Sequence, residues 1–229
     1  MNSFASPQTL SSQPLARKHF AKPSVDDLYS RIFDTILEQR LLPGSRFTED
    51  SLGRIFGVSR SSVHQVLIRL SQQQVVILRP NHRPQIAAPA PEQTRQILHA
   101  RRLTETTLVQ LACQPHRLGQ LKTLRKLIEL QRQCLESEHR GASIRLSGEF
   151  HLQLASMAGN APLAHFLSRL VPLTSLAIAQ CGEGKQENCN ECQHAAIVDA
   201  LEKTDVNAAV LLMTQHLNDL EQRLLRAHP

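Results

Sequence analysis

Gly57-Val58-Ser59-Arg60-Ser61-Ser62, running into Val63, Val66, Leu67 and Leu70, joins a tight turn to the start of an amphipathic helix. Glycine gives the turn its backbone freedom, and Ser59 stands where an N-cap belongs. Val58 before the cap and Val63 one turn inside it form a hydrophobic staple, and the later apolar residues recur at the helical period. Turn and helix together read as the recognition half of a helix-turn-helix, a unit that lays one helix into a DNA major groove.

Working outward, Leu28, Ile32, Phe33, Ile36 and Leu37 mark a first helix from Asp26, ended by Pro43-Gly44. Thr48 caps a second helix carrying Leu52, Ile55 and Phe56. After the third helix, which closes near Gln73, Val75 to Leu78 reads as a strand, Arg79 to Pro84 as a turn and Gln85 to Ala88 as a returning strand. That hairpin is a wing. Pro89-Ala90-Pro91 then breaks the pattern and sets a domain boundary. We therefore expect a flexible leader at 1–23, rich in Ser, Gln, Pro and Ala, in which Arg17, Lys18 and Lys22 can touch phosphate. A winged helix-turn-helix follows at 24–88 and a helical domain at 89–229. Helices are expected at 91–113, 116–139, 143–158, 161–180, 191–203 and 205–227, with 181–190 a loop. The fold class is mainly α, the wing being the only sheet.

Charge is placed where such a unit needs it. Of a net +6, the residues through Ala88 hold 11 basic and 6 acidic side chains, against 15 and 14 from Pro89 onward. A local positive excess neutralises phosphates, and it favours DNA over protein contact as the use of the winged helix. Five cysteines, an odd number, and no secretory start point to a reduced, cytoplasmic protein. No uninterrupted apolar run approaches the ~20 residues of a membrane span, so no membrane partner is expected. An aromatic content of 3% with no Trp speaks against a stacking platform for single strands.

With Val63, Val66, Leu67 and Leu70 facing inward, Ser61 and Gln65 point away from the fold with His64 beside them. Arg60 at the helix start can bond phosphate or a guanine edge, Gln65 can bond adenine, and His64 can donate to purine acceptors. Arg46, Arg54, Arg69, Arg79, His82 and Arg83 complete the expected DNA-binding set, the arginines mainly as phosphate contacts.

Leu42-Pro43-Gly44, Thr48-Glu49 and Phe56-Gly57-Val58-Ser59-Arg60, with the helix through Leu70, resemble the winged helix of GntR-family transcription regulators. The helical remainder resembles the FadR subfamily and its FCD effector-binding domain, so the resemblance spans 25–228. Two departures stand out. His64 takes the place of the family's usual recognition-helix arginine, and Asn81-His82-Arg83-Pro84 replaces a wing tip that usually carries glycine.

In the helical domain His151, His194 and His216 each sit on the apolar stripe of a different helix. One such histidine is usually a core residue bonded to a carbonyl. Three converging imidazoles make half or more of a transition-metal site. The resemblance implies a pattern of Asp-x-x-x-His, then His, then His in the last helix, and here Ser147 stands at the aspartate position. The expected ion is a divalent metal, zinc first and nickel second, with water, effector or a thiolate completing its shell.

Arg101 and Glu105, one turn apart, resemble the family's Arg-x-x-x-Glu helix, in which the arginine faces the effector; the alternative is a surface ion pair. Beside a metal, a guanidinium fork suits a small carboxylate, and Ser147 and Asn160 are grouped with Arg101 as effector-binding candidates. Cys189-x-x-Cys192-x-His194, with Cys181 nearby, has the spacing of an extra metal or redox site, but a single such pair is weak evidence and unpaired loop thiols are the favoured reading.

These features lead to a ligand-responsive regulator that binds palindromic double-stranded operator DNA as a homodimer, since one recognition helix reads only a half-site. Two alternatives stay open: a metal-sensing regulator using the cysteine-rich segment, and a metal-dependent enzyme. Against the enzyme, the chain lacks His-Glu-x-x-His and Gly-x-Ser-x-Gly.

Overall fold

The computed structural model describes residues 23–114, 119–181 and 188–226. Arg17, Lys18 and Lys22 of the expected leader lie outside them. Three helices open the chain: α1 (Val25–Leu37), α2 (Glu49–Phe56) and α3 (Arg60–Gln72). Each begins on a hydroxyl cap. Ser24 pairs with Asp27 and Thr48 with Ser51 in reciprocal capping boxes, while Ser59 accepts the amide of Ser62. Gly57 ends α2 in the left-handed region at φ 67°, and this makes the sharp turn into α3 possible.

The wing is smaller than expected. β1 (Val76–Ile77) and β2 (Gln85–Ile86) pair antiparallel, Val76 opposite Ile86, so each strand is shorter than Val75–Leu78 or Gln85–Ala88 would give. Pro80, Pro84 and Pro89 flank the pair and donate no amide. The sequence reading missed a third edge: residues 44–47 run along β2, with the amide of Gly44 donating to Ile86, that of Ile86 to Ser45, and that of Phe47 to Pro84.

Pro91 at the first turn opens α4 (Pro91–Ala112). Then follow α5 (Leu121–Glu136), α6 (Arg140–Met157), α7 (Ala161–Gln180), α8 (Asn188–Glu202) and α9 (Val206–Arg226). α4 lies against α6, α7 and α9, while α5 packs on α6 and α8, and α8 on α9. Leu108, Leu124, Phe150, Leu154, Val198 and Met213 fill the middle. Several boundaries differ from expectation, and α5 runs from Leu121 to Glu136 rather than over 116–139. α6 begins at Arg140 rather than 143, following Glu138 at φ 59°, and α8 begins at Asn188 rather than 191, so 188–190 are helix and not loop.

α7 is long and apolar enough by length and composition to cross a membrane, with a mean hydropathy of 1.3. Much of it is buried inside the bundle, including Leu167, Val171, Leu173 and Leu176.

The winged helix and the bundle share a core. Ile144 of α6 and Leu176 and Ala179 of α7 join the cluster built on Leu28, Ile32, Phe33 and Leu67. At their border α6 meets α1. Arg145 Nε donates to Asp34 Oδ1 at 2.6 Å, and Gly141 lies so close that a Cβ there would sit 2.5 Å from the Asp34 carbonyl oxygen.

Candidate functional site

Two sites emerge, one on each unit. On α3 the stripe of Val63, Val66, Leu67 and Leu70 is wholly buried against α1 and α2, which leaves Ser61, His64 and Gln65 exposed. Glu49, in the first turn of α2, organises this face. Its Oε2 accepts from Arg60 Nε at 2.7 Å and its Oε1 lies 2.7 Å from His64 Nδ1. Hydrogen bonds from Arg60, then His64, hold the Glu49 carboxyl below the ordinary carboxylate range. A cleft of about 470 Å³ joins Glu49, Arg60 and His64 to Arg79, His82 and Arg83 of the wing. Arg46 is exposed beside β2, and Arg54 is exposed in the last turn of α2.

Arg69 sits elsewhere. Its guanidinium lies 3.8 Å from the centre of the Tyr29 ring and Nη1 donates to Asp26 at 2.7 Å, so it is turned toward α1 and away from the Arg60–His64 cleft. Tyr29 in turn donates its hydroxyl to Gln73 at 2.8 Å. What reads in sequence as a free cation on the DNA-reading helix is half of an intramolecular stack.

The second site lies inside the bundle. His151 on α6, His194 on α8 and His216 on α9 are all buried, and one ligand atom from each falls within 4.8 Å of the others. Neighbours fix the tautomers of His151 and His216. Glu105 Oε2 faces His151 Nδ1 at 2.5 Å, and its other oxygen accepts from Arg101 Nε at 2.7 Å. Burial alone would raise the Glu105 carboxyl, but Arg101 and His151 outweigh it and bring it down to about 2. An ionised carboxylate can only accept, so His151 Nδ1 carries the proton and Nε2 offers a lone pair.

A parallel argument covers His216. Gln193 Nε2 donates to Asp219 at 2.7 Å, so its oxygen faces His216 Nδ1 at 2.8 Å and accepts from it. Nε2 of His216 is again left free. His194 stacks on Phe150 with centroids 4.0 Å apart, and neither of its nitrogens has a hydrogen-bond partner among the described residues. Burial holds all three imidazoles below the ordinary histidine range, hence neutral.

This donor set fits a transition metal. An ion at ~2.0 to 2.1 Å from each nitrogen would draw them to roughly 3.4 Å apart, a small adjustment of three rings. It would also satisfy the orphaned His194. Glu105 and the Asp219–Gln193 pair are the outer supports that ligating histidines ordinarily require, and sequence reading had not given them that role. Sequence spacing offered only Glu105 one turn after Arg101.

Arg101 and Glu105 are 2% and 1% exposed, so the alternative of a surface ion pair is overturned: α4 is covered on this face by α6, α7 and α9. Arg101 and Ser147 line a chamber of about 10 Å³ with His151, Ser175 and His216, and Arg101 Nη2 is buried without a partner among the described residues. Asn160 is not among the residues lining it. Its side-chain oxygen caps α7 by accepting the amide of Leu163. Cys192 is exposed on α8, on a different face from buried His194, and Cys181 packs beside Leu98, Leu220 and Leu224. Burial raises the Cys181 thiol. The Cys189 side chain lies outside the described residues.

Residues 25–83 match the family described as bacterial regulatory proteins, gntR family, and residues 96–219 match the FCD domain. HTH-type transcriptional repressor NanR of Cronobacter sakazakii is 28% identical over 93% of this chain and 88% of its own length. The protein of that name from Escherichia coli K12 is likewise 28% identical, over 93% and 87%. Among solved structures, E. coli McbR/YncC superimposes with a TM-score of 0.71 at 17% identity, covering 90% of this chain and 98% of that one. A GntR regulator from Rhodococcus sp. RHA1 gives 0.71 at 20%, covering 90% and 99%. With a helix-turn-helix followed by an FCD domain, the chain belongs to the GntR family of bacterial regulatory proteins, as a FadR-like, DNA-binding transcription regulator and not an enzyme.

Proposed function

We propose that this regulator binds palindromic operator DNA as a homodimer and is controlled by a divalent metal, zinc or nickel, together with a small carboxylate in the α4–α9 bundle. Arg60, Ser61, His64 and Gln65 read the major groove, while Arg46, Arg54, Arg79, His82 and Arg83 hold phosphate. His151, His194 and His216 hold the metal, and Arg101 and Ser147 face the effector. Acting on chromosomal DNA, the protein works in the cytoplasm and needs no membrane.

One observation supports the link between the sites. Ile144 belongs at once to the wall of the chamber and to the core of the winged helix. α6 therefore presents Ser147 and His151 to the effector and Gly141, Ile144 and Arg145 to α1. A ligand larger than the ~10 Å³ chamber has to displace its walls, and α6 cannot shift without disturbing its seat on α1. Such a displacement supplies the differential affinity that allosteric control requires, typically a coupling of 1 to 3 kcal/mol.

The decisive experiment is a mobility-shift titration on the upstream intergenic DNA at fixed low salt, with zinc and acetate present or absent. Wild type should bind and respond. Arg145→Ala, which cuts the tie to Asp34, should keep DNA binding and lose most of the response. A folded dimer that ignores this and every other duplex at low salt would end the reading.

The cysteine-based sensor is not favoured, because Cys192 is exposed away from the buried triad.

A further inference from the structure

His64 stands where the family resemblance would put an arginine, and the exchange alters hydrogen-bond polarity as well as size. An arginine side chain only donates, and in the major groove it pairs with the O6 and N7 acceptors of guanine. A neutral imidazole has one donor and one acceptor, and the partner of one nitrogen decides the part played by the other. Here that partner is Glu49. Its Oε1 lies 2.7 Å from His64 Nδ1, while its Oε2 accepts from Arg60 Nε at 2.7 Å. The two neighbours use separate oxygens, so a phosphate can draw Arg60 away without releasing His64. The charged and titratable groups of the cleft around the ring are Glu49 and Asp50 from α2, Arg60 from its own helix, and Arg79, His82 and Arg83 from the wing. Arg60 already answers the charge of Glu49, and the ring completes the trio as a neutral donor. With the proton on Nδ1, Nε2 faces away from Glu49 as a lone pair, and no other protein group among the described residues bonds it. Water competes for these bonds in the free protein, since His64 is exposed. Against a duplex the groove covers the cleft, and the bond that holds the ring is no longer contested.

We infer that Glu49 makes His64 an obligate acceptor in the groove, so that this position selects the amino edge of adenine or cytosine and rejects the oxo edge of guanine or thymine. The inference rests on the groove-facing reading of α3 in the preceding subsection and deepens it. Adenine presents its N6 amine and cytosine its N4 amine where guanine and thymine present O6 and O4. An oxo edge set against Nε2 leaves two acceptors facing each other without a proton between them, and each loses the water it had. Within the reading set Arg60 only donates, whereas Ser61 and Gln65 can donate or accept. His64 is therefore the member of that set that rejects an acceptor. The sequence alone permits it to donate to purine acceptors, and the contact from α2 reverses that polarity. Glu49 touches no base in this scheme. It is a positioning residue that acts through the imidazole.

The test is selection of bound duplexes from a randomised pool by the full-length protein, at pH 8 and fixed low salt. His64→Ala identifies the base that the ring reads, as the position whose preference it erases. Wild type should hold adenine or cytosine there, and His64→Arg should hold guanine. Glu49→Ala should admit guanine or thymine as well, because the freed ring can carry its proton on Nε2. Two duplexes that differ only in the amino or oxo base at that position should differ ~5-fold or more in affinity for wild type, and less than ~2-fold for Glu49→Ala. A helix that merely lost stability would bind both duplexes more weakly and keep their ratio. Guanine or thymine in the wild-type site, an unchanged ratio in Glu49→Ala, or no position that responds to His64→Ala overturns the inference and leaves the DNA-binding reading standing. Failure to select any duplex sinks the groove-facing reading of α3 with it. Should Glu49→Ala fail to fold, the bases held by wild type and by His64→Arg decide alone.

Discussion

Two trios of the same composition occupy the two units of this molecule. On the DNA face Glu49 holds Arg60 and His64, and in the bundle Glu105 holds Arg101 and His151. Each carboxylate gives one oxygen to a guanidinium Nε and the other to an imidazole Nδ1. The outer side chains of the first trio are 70% and 54% exposed, whereas the second is 3% or less throughout. Solvent is the difference. In water such a cluster contributes little and exchanges readily, so a phosphate can replace Glu49 as the partner of Arg60. In the interior the same bonds cannot be traded for water, and they fix a tautomer instead.

The largest effect should come from breaking the buried trio. Glu105→Ala leaves Arg101 buried and unpaired, and should cost ~3 to 5 kcal/mol of stability in urea unfolding. If the variant can be purified, zinc affinity should fall ~10- to 100-fold, since His151 loses the group that orients it. Loss of stability without loss of zinc affinity would separate the trio from the metal.

Acid should sharpen the contrast next. The three imidazoles are neutral in the folded apo-protein and ordinary in the unfolded chain, so the unfolded state binds more protons below about pH 6.5. Their contribution is complete above that pH and is lost as pH falls, by about 1.4 kcal/mol per unit for each imidazole still neutral. Glu105, held at about 2, adds a second loss between roughly pH 5 and 2. Urea midpoints from pH 8 to 4 check the first slope. A flat profile from pH 7 to 5 would mean that the histidines are not neutral in the fold.

The smallest effect belongs to the exposed trio. Glu49→Gln should leave the melting midpoint nearly unchanged, yet it removes a negative charge from the phosphate-facing cleft. Binding to unrelated duplex at low salt should strengthen and become steeper in salt, as read by fluorescence anisotropy. A large drop in stability would contradict the comparison itself.

Much of this was legible in the chain. The α3 stripe, the turn at Gly57 and the histidines on three helices all follow from periodicity and side-chain type. What stayed hidden depends on partners distant in sequence. Arg69 looks free until Tyr29 and Asp26 arrive from α1, and Glu105 looks like half of a surface pair until α6 brings His151 against it. Asn160 carries the right groups for a ligand, but a helix start claims them. Gln193 gave no signal at all, because an amide on a helix has no pattern until its two neighbours are in place.

Gly141 has a consequence for engineering. With the Asp34 carbonyl oxygen 2.5 Å and Glu38 Cγ 2.7 Å from where its Cβ would stand, any side chain there becomes a wedge between reader and sensor. A graded series of alanine, serine and valine at this position would pry the two units apart by increments. It would act as a dial on their communication while leaving every residue that touches DNA or ligand unaltered.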